Sequence, residues 1–243
     1  MRGKHGGYAM PLTSLWRWAT ALLLCLGATA APAQSAAGDG AQALRERYAA
    51  LREPLRNNPF GRALHLDSVQ NSGDLRGDIH AVVENPFATL GAALGKAETW
   101  CDVLILHLNV KQCRVVPDAA GITLVVHIGR KFDQPLDETY RVEFAFRQVA
   151  ATPEYLHASL RADSGPMGTR DYSIALKAVP LDEGRSFMHL SYSYGYGMAA
   201  RLALQAYLST LGSGKVGFSV IDKRPDGTPV YVGKTSVAVR RLD

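Results

Sequence analysis

Apolar and polar positions alternate along most of the chain between residues 62 and 194, which is the period of β-strands. The alternation predicts strands over residues 62–69, 75–83, 103–113, 122–132, 140–150, 155–163, 169–179 and 186–194. Short stretches rich in Pro, Asp and Gly separate the later segments, as in Asp182-Glu183-Gly184. Strands joined by turns at such regular spacing predict an antiparallel meander.

Apolar residues at helical spacing predict helices on both sides of this meander. Residues 41–56 form an amphipathic helix, preceded by a flexible Ala/Gly/Ser leader over residues 34–40. Asn85-Pro86 opens a second helix, because proline is tolerated in the first helical turn, and Gly95 ends it. A short helical turn is predicted over residues 98–101.

Towards the C-terminus the pattern becomes helical again and then returns to strand. Residues 198–211 carry an apolar face at helical spacing. A hairpin over residues 216–221 and 230–239 is predicted to turn at Pro225-Asp226-Gly227.

The first 33 residues have the three parts of a cleavable secretory signal: basic residues up to Arg17, an apolar run over 18–26, and small residues ending at Ala33. Cleavage is expected before Gln34, and Met10 is an alternative start. The apolar run is too short for a membrane anchor, and Leu24 before Cys25 does not suit a lipoprotein signal. The mature protein is therefore predicted to be periplasmic or secreted, without a membrane span.

Removal of this signal changes the charge balance. The chain has a formal net charge of +5, but loss of Arg2, Lys4 and Arg17 leaves 24 basic against 22 acidic residues. No run of Lys and Arg marks a phosphate-binding face, so nucleic acid is excluded as a predicted partner.

Two cysteines, Cys101 and Cys113, remain after cleavage. An even count in an oxidising compartment predicts a disulfide between them. Metal binding is the weaker alternative, because their spacing lacks the close ligand pairs of zinc sites. No catalytic or metal motif occurs, and the histidines are scattered singly, so neither a metal site nor a cofactor is predicted. His107, between the two cysteines, falls on a predicted strand.

Large amphipathic side chains share one face of two predicted strands. Tyr192 and Tyr194 alternate with His189, Ser191 and Ser193, which puts the histidine on the opposite face. On the neighbouring predicted strand, Arg170 and Tyr172 share the face of Ile174 and Leu176. These residues predict an apolar pocket with a few polar anchors. The alternative is a core in which the tyrosine hydroxyls are satisfied and Arg170 pairs with Asp171 or Asp163.

The order of these elements resembles the START-like, or polyketide cyclase-like, helix-grip superfamily. The resemblance is carried by the strand over 77–84, the helix opened by Asn85-Pro86-Phe87, and Trp100. It implies an α+β fold in which a curved antiparallel β-sheet grips a long helix, here with an added N-terminal helix. The expected organisation is a signal peptide over 1–33, a leader and N-terminal helix over 34–61, and a START-like domain with a C-terminal hairpin over 62–243.

The resemblance also implies a function. An exported protein of this fold is expected to bind an apolar or lipid-like small molecule in the cavity between sheet and helix. Arg170, Tyr172, Tyr192, Tyr194 and His107 are the candidate ligand-binding residues. The alternatives are a cyclase- or hydrolase-like enzyme that uses the same residues as acid or base groups, and an envelope protein-interaction module.

Helix-grip domains usually end in their long helix, whereas this chain continues for about thirty residues beyond residue 211. Either the helix over 198–211 is not the gripping one, or the reading frame is cut short.

Overall fold

The computed structural model describes residues 31–119, 121–198 and 220–231, together with positions 3, 202 and 206. The chain divides into two units, Met1–Ala36 and Ala37–Asp243. Most of the predicted signal and of the predicted helix over 198–211 lie outside the described residues. So do residues 216–219 and 232–239 of the predicted hairpin.

Helices and strands follow one another in an α+β arrangement. The helices are α1 (Ala31–Ala50), α2 (Arg52–Arg56), α3 (Phe87–Leu94) and α4 (Ala97–Leu104). The strands are β1 (Leu64–Gln70), β2 (Asp74–Val83), β3 (Val110–Asp118), β4 (Gly121–Ile128), β5 (Tyr140–Thr152), β6 (Tyr155–Ser164), β7 (Arg170–Pro180), β8 (Ser186–Gly195), β9 (Val220–Lys223) and β10 (Pro229–Tyr231).

Eight of these strands form one antiparallel sheet in the order β1-β2-β8-β7-β6-β5-β4-β3. From β3 to β8 the sheet is the predicted meander. The pairing of β2 with β8 joins the β1–β2 hairpin to this meander. It places residues more than a hundred positions apart in sequence side by side, such as Ile79 opposite Leu190. Strands β9 and β10 form a separate hairpin, in which Gly227 adopts a positive φ of 82°.

The inner face of the sheet packs against the helix pair that joins β2 to β3. Phe87 of α3 and Trp100 of α4 belong to the same buried cluster as Leu124, Leu160 and Leu176 of the sheet. Gly95 follows α3, as predicted, and Pro86 is the residue immediately before the helix rather than part of its first turn. The Trp100 indole Nε1–H donates to the Leu94 carbonyl at 2.9 Å, which joins the two helices. The predicted α+β fold and its element order are confirmed over the described residues.

Helix α1 covers part of the outer face. Its residues Ala41 and Leu44 are buried in a second cluster with Phe187, Val179 and Tyr155 of the sheet. The prediction of a flexible leader over 34–40 is wrong, because these residues are helical. Gly40 explains how the helix comes so close: a Cβ there would lie 2.8 Å from the Tyr155 ring. Packing thus overrides the low helix propensity of glycine.

The predicted strand over 103–113 is also wrong at its start. Helix α4 continues to Leu104, and β3 begins only at Val110. The intervening apolar residues, which produced the strand-like pattern, are exposed: Leu106 by 80 % and Leu108 by 58 %. Among the described residues, no helix is long and apolar enough to cross a bilayer.

The disulfide between Cys101 and Cys113 is present and confirms the sequence prediction. It joins α4 to β3, with the two Cα atoms 5.2 Å apart. Both cysteines pack against the inner cluster, so the bond holds the Trp100 helix onto the first strand of the meander.

Removal of this disulfide is expected to lower the free energy of unfolding by about 3 kcal/mol, because an open loop gains conformational entropy in the unfolded chain. The measurement is urea unfolding of Cys101→Ser/Cys113→Ser beside the oxidised wild type. Reduced wild type should match the double variant. Equal stability of the oxidised and reduced proteins would contradict the expectation.

Candidate functional site

The tyrosines predicted to line a pocket do lie together on the inner face of β7 and β8. The ring of Tyr172 is stacked on that of Tyr194, with centroids 5.4 Å apart and 13° between planes. Tyr192 lies 6.3 Å from Tyr172 and 5.6 Å from Tyr194. Tyr196 extends the group at 6.0 Å from Tyr194, and Phe144 of β5 meets Tyr172 edge-on at 6.1 Å. We call the four tyrosines the tyrosine face.

Burial differs along this face. Tyr194 and Tyr196 are each 4 % exposed, whereas Tyr172 and Tyr192 are only partly buried. The Tyr196 hydroxyl donates to the Asn71 carbonyl at 2.8 Å, and the Tyr172 hydroxyl lies 2.6 Å from the Thr169 hydroxyl. Tyr194 and Tyr196 therefore act as core side chains, while Tyr172 and Tyr192 combine packing with accessible surface.

Arg170 stands at the first position of β7, two residues before Tyr172. Its Nε lies 3.2 Å from Asp171 Oδ2, and both side chains are more than half exposed. The pairing of β7 with β8 is irregular between Arg170 and Ser173, and Asp171 adopts a positive φ of 54°. Arg170 thus lies at the rim beside the tyrosine face, in one of the two pairings that the sequence left open.

His107 occupies a different part of the molecule. It lies in the exposed turn between α4 and β3, not on a strand as predicted, and its Nδ1 accepts the Asn109 backbone N–H at 3.2 Å. Strand β3 is four strands from β7 in the sheet order. The structure brings together the tyrosines and Arg170, but it does not group His107 with them.

The outer face carries a polar cluster that sequence reasoning missed. Cross-strand pairing puts one residue from each of five neighbouring strands in a single row, which we call the histidine row: His65, His80, His189, Lys177 and His157. The His80 and His189 rings are stacked 4.3 Å apart with 5° between planes. Four of the seven histidines of the chain fall in this row. Alternation predicted the face of His189, but only the register of β2 with β8 reveals its neighbours.

Asp78 is the centre of this cluster. His189 Nε2–H donates to Asp78 Oδ1 at 2.7 Å, and Arg76 donates from Nε and Nη2 at 2.7 and 2.9 Å. Burial acts to raise the pKa of Asp78, but the hydrogen bonds from His189 and Arg76 outweigh it and hold the pKa well below its ordinary value. The carboxylate therefore stays ionised and fixes the His189 ring.

A second ion pair lies beside it. Arg47 of α1 donates from Nη2 to Asp67 Oδ2 at 3.1 Å, and the same oxygen lies 3.0 Å from His65 Nε2. The buried His80 ring stands between the two groups, with its Nε2 at 3.5 Å from Arg47 Nε. Within the described part of the chain, no group of three or more His, Cys, Asp or Glu residues has the arrangement of a metal site.

Comparison with known proteins gives matches only among solved structures. No family model and no curated protein matches the chain. An aromatase/cyclase from a Streptomyces species is 12 % identical with a TM-score of 0.39, over 61 % of this chain and 88 % of that one. A START superfamily protein from Mycobacterium smegmatis is 11 % identical with a TM-score of 0.35, over 62 % and 92 %. Norcoclaurine synthase from Thalictrum flavum is 11 % identical with a TM-score of 0.39, over 62 % and 82 %. The fold of this chain is therefore defined by its own strand order and register.

Proposed function

We propose that this protein is exported and binds an apolar or lipid-like small molecule with a polar or anionic head against the tyrosine face. The observation that carries the proposal is the contiguous group of tyrosine rings in contact on the inner face of β7 and β8, with Arg170 at its rim. Tyr172 and Tyr192, the partly accessible members, contact the body of the ligand.

Tyrosine suits such a ligand because it presents an apolar ring and a polar tip. A sheet face that served only as core would more often be filled with branched aliphatic side chains, as at Leu124, Leu160 and Leu176 on the same sheet. The change from aliphatic to aromatic side chains along the inner face therefore supports a site for a molecule of mixed character.

Arg170 is placed to hold the head group. Both side chains of its ion pair with Asp171 are exposed to solvent. Such surface ion pairs stabilise a protein by only about 0 to 1 kcal/mol. A ligand carboxylate or phosphate can therefore replace Asp171 with little loss of stability. It would gain the paired hydrogen bonds that a guanidinium offers to a planar oxyanion.

Export is supported by two features of different kinds. The first 33 residues have the composition of a secretory signal, and the Cys101–Cys113 disulfide suits an oxidising compartment. Native mass spectrometry of protein recovered from a bacterial periplasm tests both parts of the proposal. We expect a polypeptide mass that begins near Gln34 and a retained small molecule that dissociates on activation.

Arg170→Ala is expected to weaken binding of cis-parinaric acid, a fluorescent anionic amphiphile, by about tenfold, because one charge-assisted hydrogen-bonding group is lost. The melting temperature should change by no more than about 2 °C, as expected for an exposed ion pair. Fluorescence titration and thermal unfolding give the two readouts.

The matched control is Arg161→Ala, which removes an exposed arginine on the outer face of β6. It should leave cis-parinaric acid binding unchanged. If Arg170→Ala instead lowers the melting temperature markedly and leaves binding intact, Arg170 serves the fold and the proposed head-group contact is wrong.

A further inference from the structure

A cleft of about 300 Å³ lies on the outer face, between α1 and the histidine row. Helix α1 contributes small residues, Gly40 and Ala43, to one wall, so it leaves a gap where it passes over the sheet. The floor is formed by polar side chains of four strands, among them Asp78, His189 and Lys177. We call this space the outer cleft. It lies on the opposite face of the sheet from the tyrosines.

Three of the four carboxylate oxygens around the outer cleft already have hydrogen-bonding or ion-pair partners. Asp78 accepts from Arg76 and His189 through both of its oxygens, and Asp67 Oδ2 contacts Arg47 and His65. Each carboxylate is therefore neutralised by an arginine and oriented by a histidine. Neither needs a cation from solution.

Donors, in contrast, remain in excess. Arg47 uses Nε and Nη2, and Arg76 uses the same two nitrogens, so Nη1 of each guanidinium has no protein partner among the described residues. The Lys177 ammonium likewise makes no hydrogen bond or ion pair with any residue that the structure describes. Three cationic side chains thus face two carboxylates, and the lining has a net positive charge even when every imidazole is neutral.

Lys177 is the most informative of these groups. It is only partly exposed, and in the sheet register it stands directly opposite His189 on one side and His157 on the other. Neither imidazole can supply a negative charge to balance the Lys177 ammonium. No carboxylate on β6, β7 or β8 faces it in this row.

We propose that the outer cleft is a binding site for a small molecule with a carboxylate or phosphate group, held by the Lys177 ammonium and the unused guanidinium nitrogens of Arg47 and Arg76. The volume lies at the lower end of the range for small-molecule pockets and suits a compact anion. Planar guanidinium groups and an ammonium together match the oxygens of either group.

Calorimetric titration of the protein with sodium phosphate and, separately, with sodium succinate tests the proposal at about pH 7, where Asp78 is ionised. At least one of the two anions should bind. Their order of affinity tells whether phosphate or carboxylate is the preferred group.

Lys177→Met should weaken binding of the tighter-binding anion about tenfold or more, because it removes a charged hydrogen-bond donor. Ala43→Met keeps every charge but fills part of the cleft from the exposed side of α1, and it should also weaken binding. Lys223→Met, an exposed lysine of β9, is the charge-matched control and should bind as wild type does.

Any one of three results would overturn the proposal. The first is that neither anion binds the wild type, and the second is that Lys177→Met binds the anion as tightly as Lys223→Met does. The third is that the anion binds only after addition of a divalent metal. The last result would mean that the cluster holds a cation instead.

Discussion

Phe187→Ala is expected to lower the free energy of unfolding by about 3 to 5 kcal/mol, a large fraction of the total stability of a typical domain. Phe187 is completely buried on the outer face of β8. Its ring centroid lies 5.1 Å from that of Tyr48 on α1 and 6.1 Å from that of His80 on β2. The side chain therefore joins the helix, its own strand and the neighbouring strand, and its loss leaves a cavity between them.

Urea unfolding followed by circular dichroism measures this loss. Phe132→Ala is the matched control, because that ring is 60 % exposed and its removal should change stability by less than about 0.5 kcal/mol. Hydrogen exchange adds a local readout, since α1 should lose protection more than β4 or β5 does. A change below about 1 kcal/mol for Phe187→Ala would contradict the packing described for α1.

The sheet could be predicted because its signals are local. Alternation along β5 to β8 and the turns between these strands lie within about 55 residues of sequence, and each predicted strand matches an observed one within one or two residues. The inner position of Tyr172 and Tyr192 followed from the same alternation. The Cys101–Cys113 bond was predicted from the cysteine count and the predicted oxidising compartment.

The errors arose where packing between distant segments decides the structure. Residues 34–40 have the composition of a linker, but Ala37 and Ala41 gain a buried surface against the sheet and the helix extends through them. Residues 103–109 look like a strand because they are apolar. In the structure the first two of these residues, Val103 and Leu104, belong to α4, and most of the others lie in an exposed turn.

The histidine row shows a different limit of prediction from sequence. His189 lies more than a hundred residues after His65 and His80 in the sequence, and no motif marks any of the three. They meet because β1 pairs with β2 and β2 with β8, and a register shift of one residue would put His80 opposite a residue of the other face. Only the pairing, not the composition, identifies the cluster.

Acid is expected to destabilise the protein through His80. Burial, with smaller contributions from the positive charges of His189 and Arg47, lowers the pKa of His80 to about 4, although Asp78 acts in the opposite direction. Nδ1 of this ring is the one buried side-chain nitrogen or oxygen, within the described ranges, that has no hydrogen-bond partner. The folded protein therefore holds the ring neutral in a site that does not favour an added proton.

The direction of the effect follows from the two pKa values. In the unfolded chain the histidine takes up a proton near its ordinary pKa of 6.5, whereas in the folded protein it does so only near 4. The stability due to neutral His80 is thus fully present above about pH 6.5 and is lost as the pH falls towards 4, by roughly 3 to 4 kcal/mol in total. The stability due to ionised Asp78 is fully present above about pH 5 and is lost mainly below about pH 4, because the pKa of Asp78 is held well below its ordinary value of 3.8 only in the folded protein.

His80→Phe removes this loss, because a phenyl ring can keep the stacking against Phe187 and His189 but takes up no proton. Urea unfolding at about pH 7 and about pH 4 should show a smaller acid-induced fall in stability for the variant than for wild type, by about 3 kcal/mol. Other carboxylates that titrate in this range are common to both proteins and cancel in the difference.

His157→Phe is the matched control: burial also lowers the pKa of His157, but without a stacked imidazole, so its effect should be smaller. An equal acid-induced fall in wild type and His80→Phe would show that His80 is not held neutral by the fold.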